Sequence, residues 1–139
     1  MWKVMLADDE KSIRTALGTL IDWQSLDCEV VYMARSGQDV LDHIGQYRPD
    51  LLITDIRMPG VDGVELANRL SGSELPIPII FLTAYTDFSY AQAAVRYSVA
   101  DYIVKPNVLE ELPQAIRRIQ ERFGMQPAEQ RRRIQQEVL

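Results

Sequence analysis

A chain of 139 residues with 47% apolar content has room for one core and little more, since a domain of this size buries roughly two-thirds of its unfolded surface. The formal charge of -5 is unevenly spread: residues 1–116 carry 9 basic and 17 acidic side chains, residues 117–139 carry 6 arginines against 3 glutamates. Such an acidic body argues against non-specific nucleic-acid binding by the core and is compatible with a cation site.

Trp2 to Ala7 reads as a first strand and runs directly into three acids, Asp8, Asp9 and Glu10. Its apolar run is too short for a signal peptide, and no stretch approaches the roughly 20 apolar residues of a spanning helix, so a soluble cytoplasmic protein is expected. The next helix sets Ile13, Leu17, Leu20 and Ile21 on one face and ends near Asp22, with Trp23 to Asp27 as a loop. Cys28 to Ala34 is a second strand. Cys28 is the single cysteine, which excludes an intramolecular disulfide, fits a reducing compartment and reads as a small buried hydrophobe. Ser36-Gly37-Gln38 has the small polar character of a helix start, Val40, Leu41 and Ile44 form that helix's apolar face, and Pro49 bars its continuation. His43, the one histidine, lies beside them and reads as a surface residue.

Leu51-Leu52-Ile53-Thr54 leads straight into Asp55, and Pro59, Gly60, Asp62 and Gly63 then turn the backbone before a helical pattern starts at Val64. This is the pattern of a buried parallel strand ending in a carboxylate. The following helix buries Val64, Leu66, Ala67 and Leu70 and stops at Gly72. Pro76 and Pro78 bracket the start of a fourth strand, Ile77 to Leu82, which ends at Thr83-Ala84. Thr86 or Asp87 can cap a fourth helix whose apolar face is expected to be Phe88, Ala91 and Val95. Val99 to Val104 is a short fifth strand stopping at Lys105-Pro106, and Leu109, Leu112, Ile116, Ile119 and Phe123 form the face of a fifth helix, with Pro113 tolerated in its first turn. Strands and helices alternating at a period of about 25 residues predict an α/β fold, a parallel sheet covered on both faces with right-handed crossovers.

In such a sheet ligands bind beyond the carboxyl ends of the strands. Those ends carry Asp8 and Asp9, Asp55, Thr83 and Lys105, far apart in sequence and brought to one edge by the fold. Taken singly, the acids could be helix caps, Thr83 an ordinary strand residue and Lys105 a solvated one. Together they are chemically complementary. Three adjacent carboxylates raise one another's pKa unless a hard cation keeps them ionised, and Mg²⁺ suits an oxygen-only site. A carboxylate beside Mg²⁺ can attack an in-line phosphorus to form an aspartyl phosphate, with Lys105 and the Thr83 hydroxyl stabilising the phosphoryl oxygens.

Asp8-Asp9-Glu10, Asp55 within Asp55-Ile56-Arg57-Met58-Pro59-Gly60-Val61-Asp62-Gly63, Thr83-Ala84 and Asp101-Tyr102-Ile103-Val104-Lys105-Pro106 together resemble the receiver domain of two-component response regulators, over residues 2 to 123. The resemblance implies a flavodoxin-like (βα)5 fold with strand order 2-1-3-4-5. It implies that Asp55 accepts phosphate from a histidine kinase by self-catalysed transfer, so that the chain is a phosphoacceptor rather than an enzyme. It further implies that Asp9, Asp55 and the Arg57 backbone carbonyl bind Mg²⁺ with Asp8 acting through water, that Lys105 pairs with the phosphoryl group, and that the bond to Pro106 is cis. Thr83 and Tyr102 match the switch positions that reshape the face of the fourth and fifth helices, where a homodimer is expected to form. Arg57 and Tyr85 are large and would crowd an attacking water, so a long-lived phosphorylated state with slow autodephosphorylation is expected. Thr83 to Ala91 also resembles receivers attached to AraC-type regulators. Ser98 departs from the glycine that receivers commonly place before the fifth strand, which predicts a local difference at the end of the fourth helix.

Residues 1–123 are therefore expected to form the receiver domain and residues 124–139 a linker or helix leading to an effector domain, through which alone DNA would be bound and transcription regulated. Arg131-Arg132-Arg133 reads as a solvated linker, and Ile134 and Val138 are too few for a coiled coil. Two other readings use the same residues. A stand-alone receiver would act by protein contact. Phosphatases of the haloacid-dehalogenase type share the chemical kit, but place the nucleophile first in an Asp-x-Asp pair and the acidic pair last; here the acidic pair comes first and Asp55 stands alone.

Overall fold

Strands β1 (Trp2–Ala7), β2 (Cys28–Ala34), β3 (Leu51–Asp55), β4 (Ile79–Thr83) and β5 (Asp101–Val104) form one sheet in the order β2-β1-β3-β4-β5, with every neighbouring pair parallel. The computed structural model describes residues 1–72, 77–84, 87–105 and 107–123. Five helices connect and follow the strands: α1 (Lys11–Leu20), α2 (Gly37–Tyr47), α3 (Gly63–Ser71), α4 (Phe88–Arg96) and α5 (Val108–Arg122). This is the flavodoxin-like order that the family resemblance implied. Among the described residues no helix is long and apolar enough to cross a membrane.

The alternation of side chains along each strand feeds two separate cores. Val4, Leu6, Leu51, Ile53, Ile80, Leu82 and Ile103 face α1 and α5, where Leu17, Leu112, Ile116 and Ile119 meet them. Met5, Leu52, Ile79 and Phe81 face the other way, against Val40 of α2, Leu66 and Ala67 of α3 and Ala93 of α4. All five residues of β3 and of β4 are buried, as strands covered on both faces must be.

The local reading needs correction in several places. The segment after α1 is not a plain loop: Gln24–Leu26 forms a 3-10 turn, and Trp23 and Leu26 join the core, with Trp23 Nε1 donating to the Leu17 carbonyl. Leu20 and Leu109, assigned to buried faces, are 63% and 48% exposed. On α4 the expected apolar face is the wrong one. Phe88 and Val95 are 76% and 82% exposed, while Ala93, Tyr90, Ala94 and Tyr97 pack inward. Pro113 falls at the sixth residue of α5 rather than in its first turn, where it has no N–H to donate to the Leu109 carbonyl.

Ser98 adopts the left-handed conformation in spite of its side chain, at φ 54°. Ser98 N–H donates to the Val95 carbonyl at 3.2 Å and Val99 N–H to the Ala94 carbonyl at 2.8 Å. These paired bonds close the end of α4 as a Schellman motif, so the turn keeps the geometry that glycine usually supplies. His43 is not a free surface residue either. It stacks on Tyr32 with ring centroids 4.4 Å apart, and its Nδ1 lies 2.9 Å from Asp39 Oδ1.

Candidate functional site

Three backbone bonds extend the ladder one step past the strand ends that carry Asp8, Asp55 and Lys105. Asp8 N–H donates to the Ala34 carbonyl at 3.1 Å, Ile56 N–H to the Leu82 carbonyl at 3.2 Å, and Lys105 N–H to the Thr83 carbonyl at 2.8 Å. Asp55 pairs in register with Leu82, which places Thr83 one residue further along the adjacent strand. The rim is therefore fixed by the sheet itself rather than by flexible loops.

Asp8, Asp9 and Asp55 each bring a carboxylate oxygen within 4.8 Å of the others. Asp8 is 1% exposed and Asp55 8% exposed, while Asp9 is exposed. Lys105 Nζ bridges the two buried acids, 3.2 Å from Asp8 Oδ2 and 3.6 Å from Asp55 Oδ2. The second oxygen of each acid is tied to the backbone: Asp8 Oδ1 accepts from the Glu10 N–H and Asp55 Oδ1 from the Ile56 N–H. Arg14 donates to the Asp8 carbonyl at 2.8 Å, a support that no motif revealed.

The alternative of helix-capping acids fails on geometry. Helix α1 has Glu10 at its N-cap position with no side-chain cap bond, and α3 is capped by Asp62, which accepts from the Glu65 N–H. Lys105 is not solvated but ion-paired. Burial pushes the Asp55 carboxyl up to about 6; Lys105 and the Ile56 N–H oppose this, and the charges of Asp8 and Asp9 reinforce it. Desolvation and like charge thus outweigh the lysine, which is the electrostatic setting that a divalent cation relieves. The donor set is all oxygen, as Mg²⁺ requires.

Thr83 is fully buried at the end of β4. Tyr102 on β5 is half-buried against the core beneath α2, α3 and α4, and burial, with Asp87 and Tyr90 nearby, raises its phenol pKa. The Arg57 side chain leads to α4, where its Nε donates to the Tyr90 hydroxyl at 2.7 Å. Tyr85, Thr86 and Pro106 lie outside the described residues, and with them the second crowding residue, one of the two expected caps and the cis bond; Asp87 caps α4 by accepting from the Ser89 N–H.

Gly63 is a site residue that pattern reading passed over as a turn. A Cβ there would lie 2.7 Å from the Asp55 carbonyl oxygen and 2.9 Å from Ile56 Cα, so only glycine lets α3 begin this close to the end of β3. A glycine after a strand-terminal Asp and a Pro-Gly turn is the signal that could have found it.

A family described as the response regulator receiver domain matches residues 4–117. The transcriptional regulatory protein HptR of Staphylococcus aureus is 41% identical over 106 residues, 76% of this chain and 41% of that protein. The uncharacterised transcriptional regulatory protein YesN of Bacillus subtilis is 36% identical over 106 residues, 76% of this chain and 29% of its own length. The chain thus spans less than half the length of these curated relatives. Among solved structures, the REC domain of AraT, a response regulator from Geobacillus stearothermophilus, superposes with a TM-score of 0.80 at 35% identity, covering 89% of this chain and 96% of that one. A DNA-binding response regulator of the LuxR family from Staphylococcus aureus gives 0.76 at 28% identity, covering 86% and 98%.

Proposed function

The chain belongs to the response regulator receiver domain family, the receivers of two-component systems, and from that premise we propose that Asp55 is its phosphoacceptor, served by Asp8, Asp9, Thr83 and Lys105. The observation that carries this is the meeting of three carboxylates within 4.8 Å, with Lys105 Nζ bridging Asp8 and Asp55.

Asp55 Oδ1 is occupied by the Ile56 N–H, which leaves Oδ2 as the attacking atom. That oxygen forms a bond to phosphorus as the phosphorus–nitrogen bond of a kinase phosphohistidine breaks, and the electron pair returns to the imidazole. Lys105, already beside Oδ2, pairs with the phosphoryl oxygens, and the Thr83 hydroxyl donates to them. Asp9, Asp55 and the Arg57 carbonyl would hold Mg²⁺, with Asp8 behind them; when bound, the ion supplies charge neutralisation for the acids and the phosphoryl oxygens. Thr83 moving toward the phosphoryl group makes room for the Tyr102 ring, which reshapes the α4 and α5 face. Exposed Phe88 and Val95 on α4 and Leu109 on α5 support dimerisation there on phosphorylation. Arg57, with Tyr85, slows hydrolysis, so autodephosphorylation is slow.

In the cytoplasm, with a sensor histidine kinase as donor, residues 1–123 act as the receiver and residues 124–139 as the connector to an effector domain that binds DNA. The transcriptional regulators among its relatives support that output, and the stretch from Thr83 to Ala91 points to an AraC-type effector. Incubation with acetyl phosphate and Mg²⁺, read by intact mass, tests the proposal. Wild type is expected to gain one phosphoryl group and Asp55→Asn none, with sizing of both to read the dimer. An unlabelled wild type or an equally labelled variant refutes the assignment, and steady turnover of phosphomonoesters would favour the phosphatase reading.

A further inference from the structure

One side-chain bridge joins the loop after Asp55 to helix α4. Arg57 Nε donates to the Tyr90 hydroxyl at 2.7 Å, and the guanidinium carbon lies 5.7 Å from the Tyr90 ring centroid. Asp87, the cap of α4, adds its negative charge beside the same guanidinium. The tyrosine end is rigid, because the Tyr90 ring packs against the core cluster that Tyr102 also joins. The arginine end is exposed: Arg57 lies on a loop, beside a cavity of about 380 Å³ lined also by Met58, Pro59, Asp62 and Tyr90. An exposed arginine surrenders rotamer freedom when pinned, and the charge-assisted bond and the ring contact both contribute to holding it.

The sheet decides what this bridge crosses. β3 and β4 are neighbours, and Asp55 pairs with Leu82. Arg57 follows Asp55 by two residues and Tyr90 follows Thr83 by seven, so their contact ties the loop after β3 to α4 beyond the carboxyl ends of these two strands.

We infer that Tyr90 is a positioning residue for the reaction at Asp55: its hydroxyl fixes the Arg57 guanidinium beyond the end of the Asp55 strand and so delays the arrival of water at the phosphorylated carboxylate. This rests on Asp55 being the phosphoacceptor. Hydrolysis forms a bond from a water oxygen to phosphorus and breaks the bond from phosphorus to Asp55 oxygen. The electron pair returns to the carboxylate, and the water's protons leave with the phosphate and to solvent. A guanidinium held in the approach path obstructs that attack, whereas one free to swing does not.

The test compares wild type, Tyr90→Phe, Arg57→Met, the double variant and Arg57→Lys. Each is labelled with acetyl phosphate and Mg²⁺ and freed of donor, and the decay of the aspartyl phosphate is followed by intact mass. Decay roughly threefold to tenfold faster is expected for each of the first two variants. The double variant should decay no faster than either, because both changes cut the same bridge. Arg57→Lys, which can still donate to the hydroxyl, should stay slow. In unphosphorylated wild type the Arg57 Nε proton is expected to be protected from exchange by NMR, and Tyr90→Phe should abolish that protection. Tyr90→Phe keeps the ring, and Arg57→Met changes only an exposed loop, so at least one of them is available as a folded protein. Equal decay in wild type and the folded variants overturns the inference and leaves the phosphoacceptor assignment standing. Additive acceleration in the double variant, or an unprotected Arg57 proton, also overturns it, and failure to label wild type overturns both.

Discussion

At Asp55 the fold works against its own carboxylate. The ordinary value of 3.8 rises to about 6, from burial first and then from Asp8 and Asp9, against the pull of Lys105 and the Ile56 N–H. Between these two values the folded chain holds more proton on this group than the unfolded chain does, so its contribution to stability falls as pH rises from about 4 to about 6 and stays lost above that. Allowing for screening in an open cleft, the penalty at pH 7 is about 1–2 kcal/mol. Asp55→Asn should therefore raise the melting temperature in chelator at pH 7.5 by about 3–6 °C, with little gain at pH 4; an unchanged or lower value at pH 7.5 contradicts this. Cys28, at the start of β2, shows the same physics. Burial pushes its thiol up to about 12, Asp27 adding to the effect and Arg117 opposing it. Alkylation by iodoacetamide at pH 8 should be negligible in the folded protein and complete in urea, since only the thiolate reacts.

Helix α4 shows how a short apolar pattern misleads. Nine residues give little more than two turns, and Phe88, Ala91 and Val95 satisfy helical spacing as well as Tyr90, Ala93, Ala94 and Tyr97 do. Size favours the first set on a transfer scale, yet the second set packs, because tyrosines can cover apolar surface while their hydroxyls reach polar partners such as Arg57. Phe88→Ser and Val95→Thr are accordingly expected to shift stability by no more than about 0.5 kcal/mol, as judged by chemical denaturation. The end of the same helix offers a gain. Ser98 carries left-handed strain at φ 54°, so Ser98→Gly should stabilise by about 1 kcal/mol. The start of α3 allows no such freedom. Gly63→Ala would drive a Cβ into the backbone of Asp55 and Ile56, with an expected cost of about 1–3 kcal/mol and loss of acetyl phosphate labelling.

For the whole molecule, an ion held by the acidic cluster would couple its binding to folding, because Asp8, Asp9 and Asp55 meet only in the native sheet. Mg²⁺ at ten times its dissociation constant should add about 1.4 kcal/mol to wild-type stability. The increment should be much smaller in Asp55→Asn and absent with a monovalent salt at matched ionic strength. Equal stabilisation of both proteins would mean that the ion acts by general screening.

How much of this was legible beforehand differs between backbone and side chains. Strand identity, order of elements and the polar residues at the strand ends could be read from the chain, because fully buried strands leave unbroken apolar runs and a parallel sheet must deliver their ends to one rim. Only the folded arrangement decided that Lys105 bridges Asp8 and Asp55, that Asp62 rather than Asp55 caps α3, that Gly63 makes room for the end of β3, and that Arg57 reaches Tyr90 on α4. Those facts depend on contacts between segments distant in sequence, and local periodicity carries no information about which distant partner a side chain will meet.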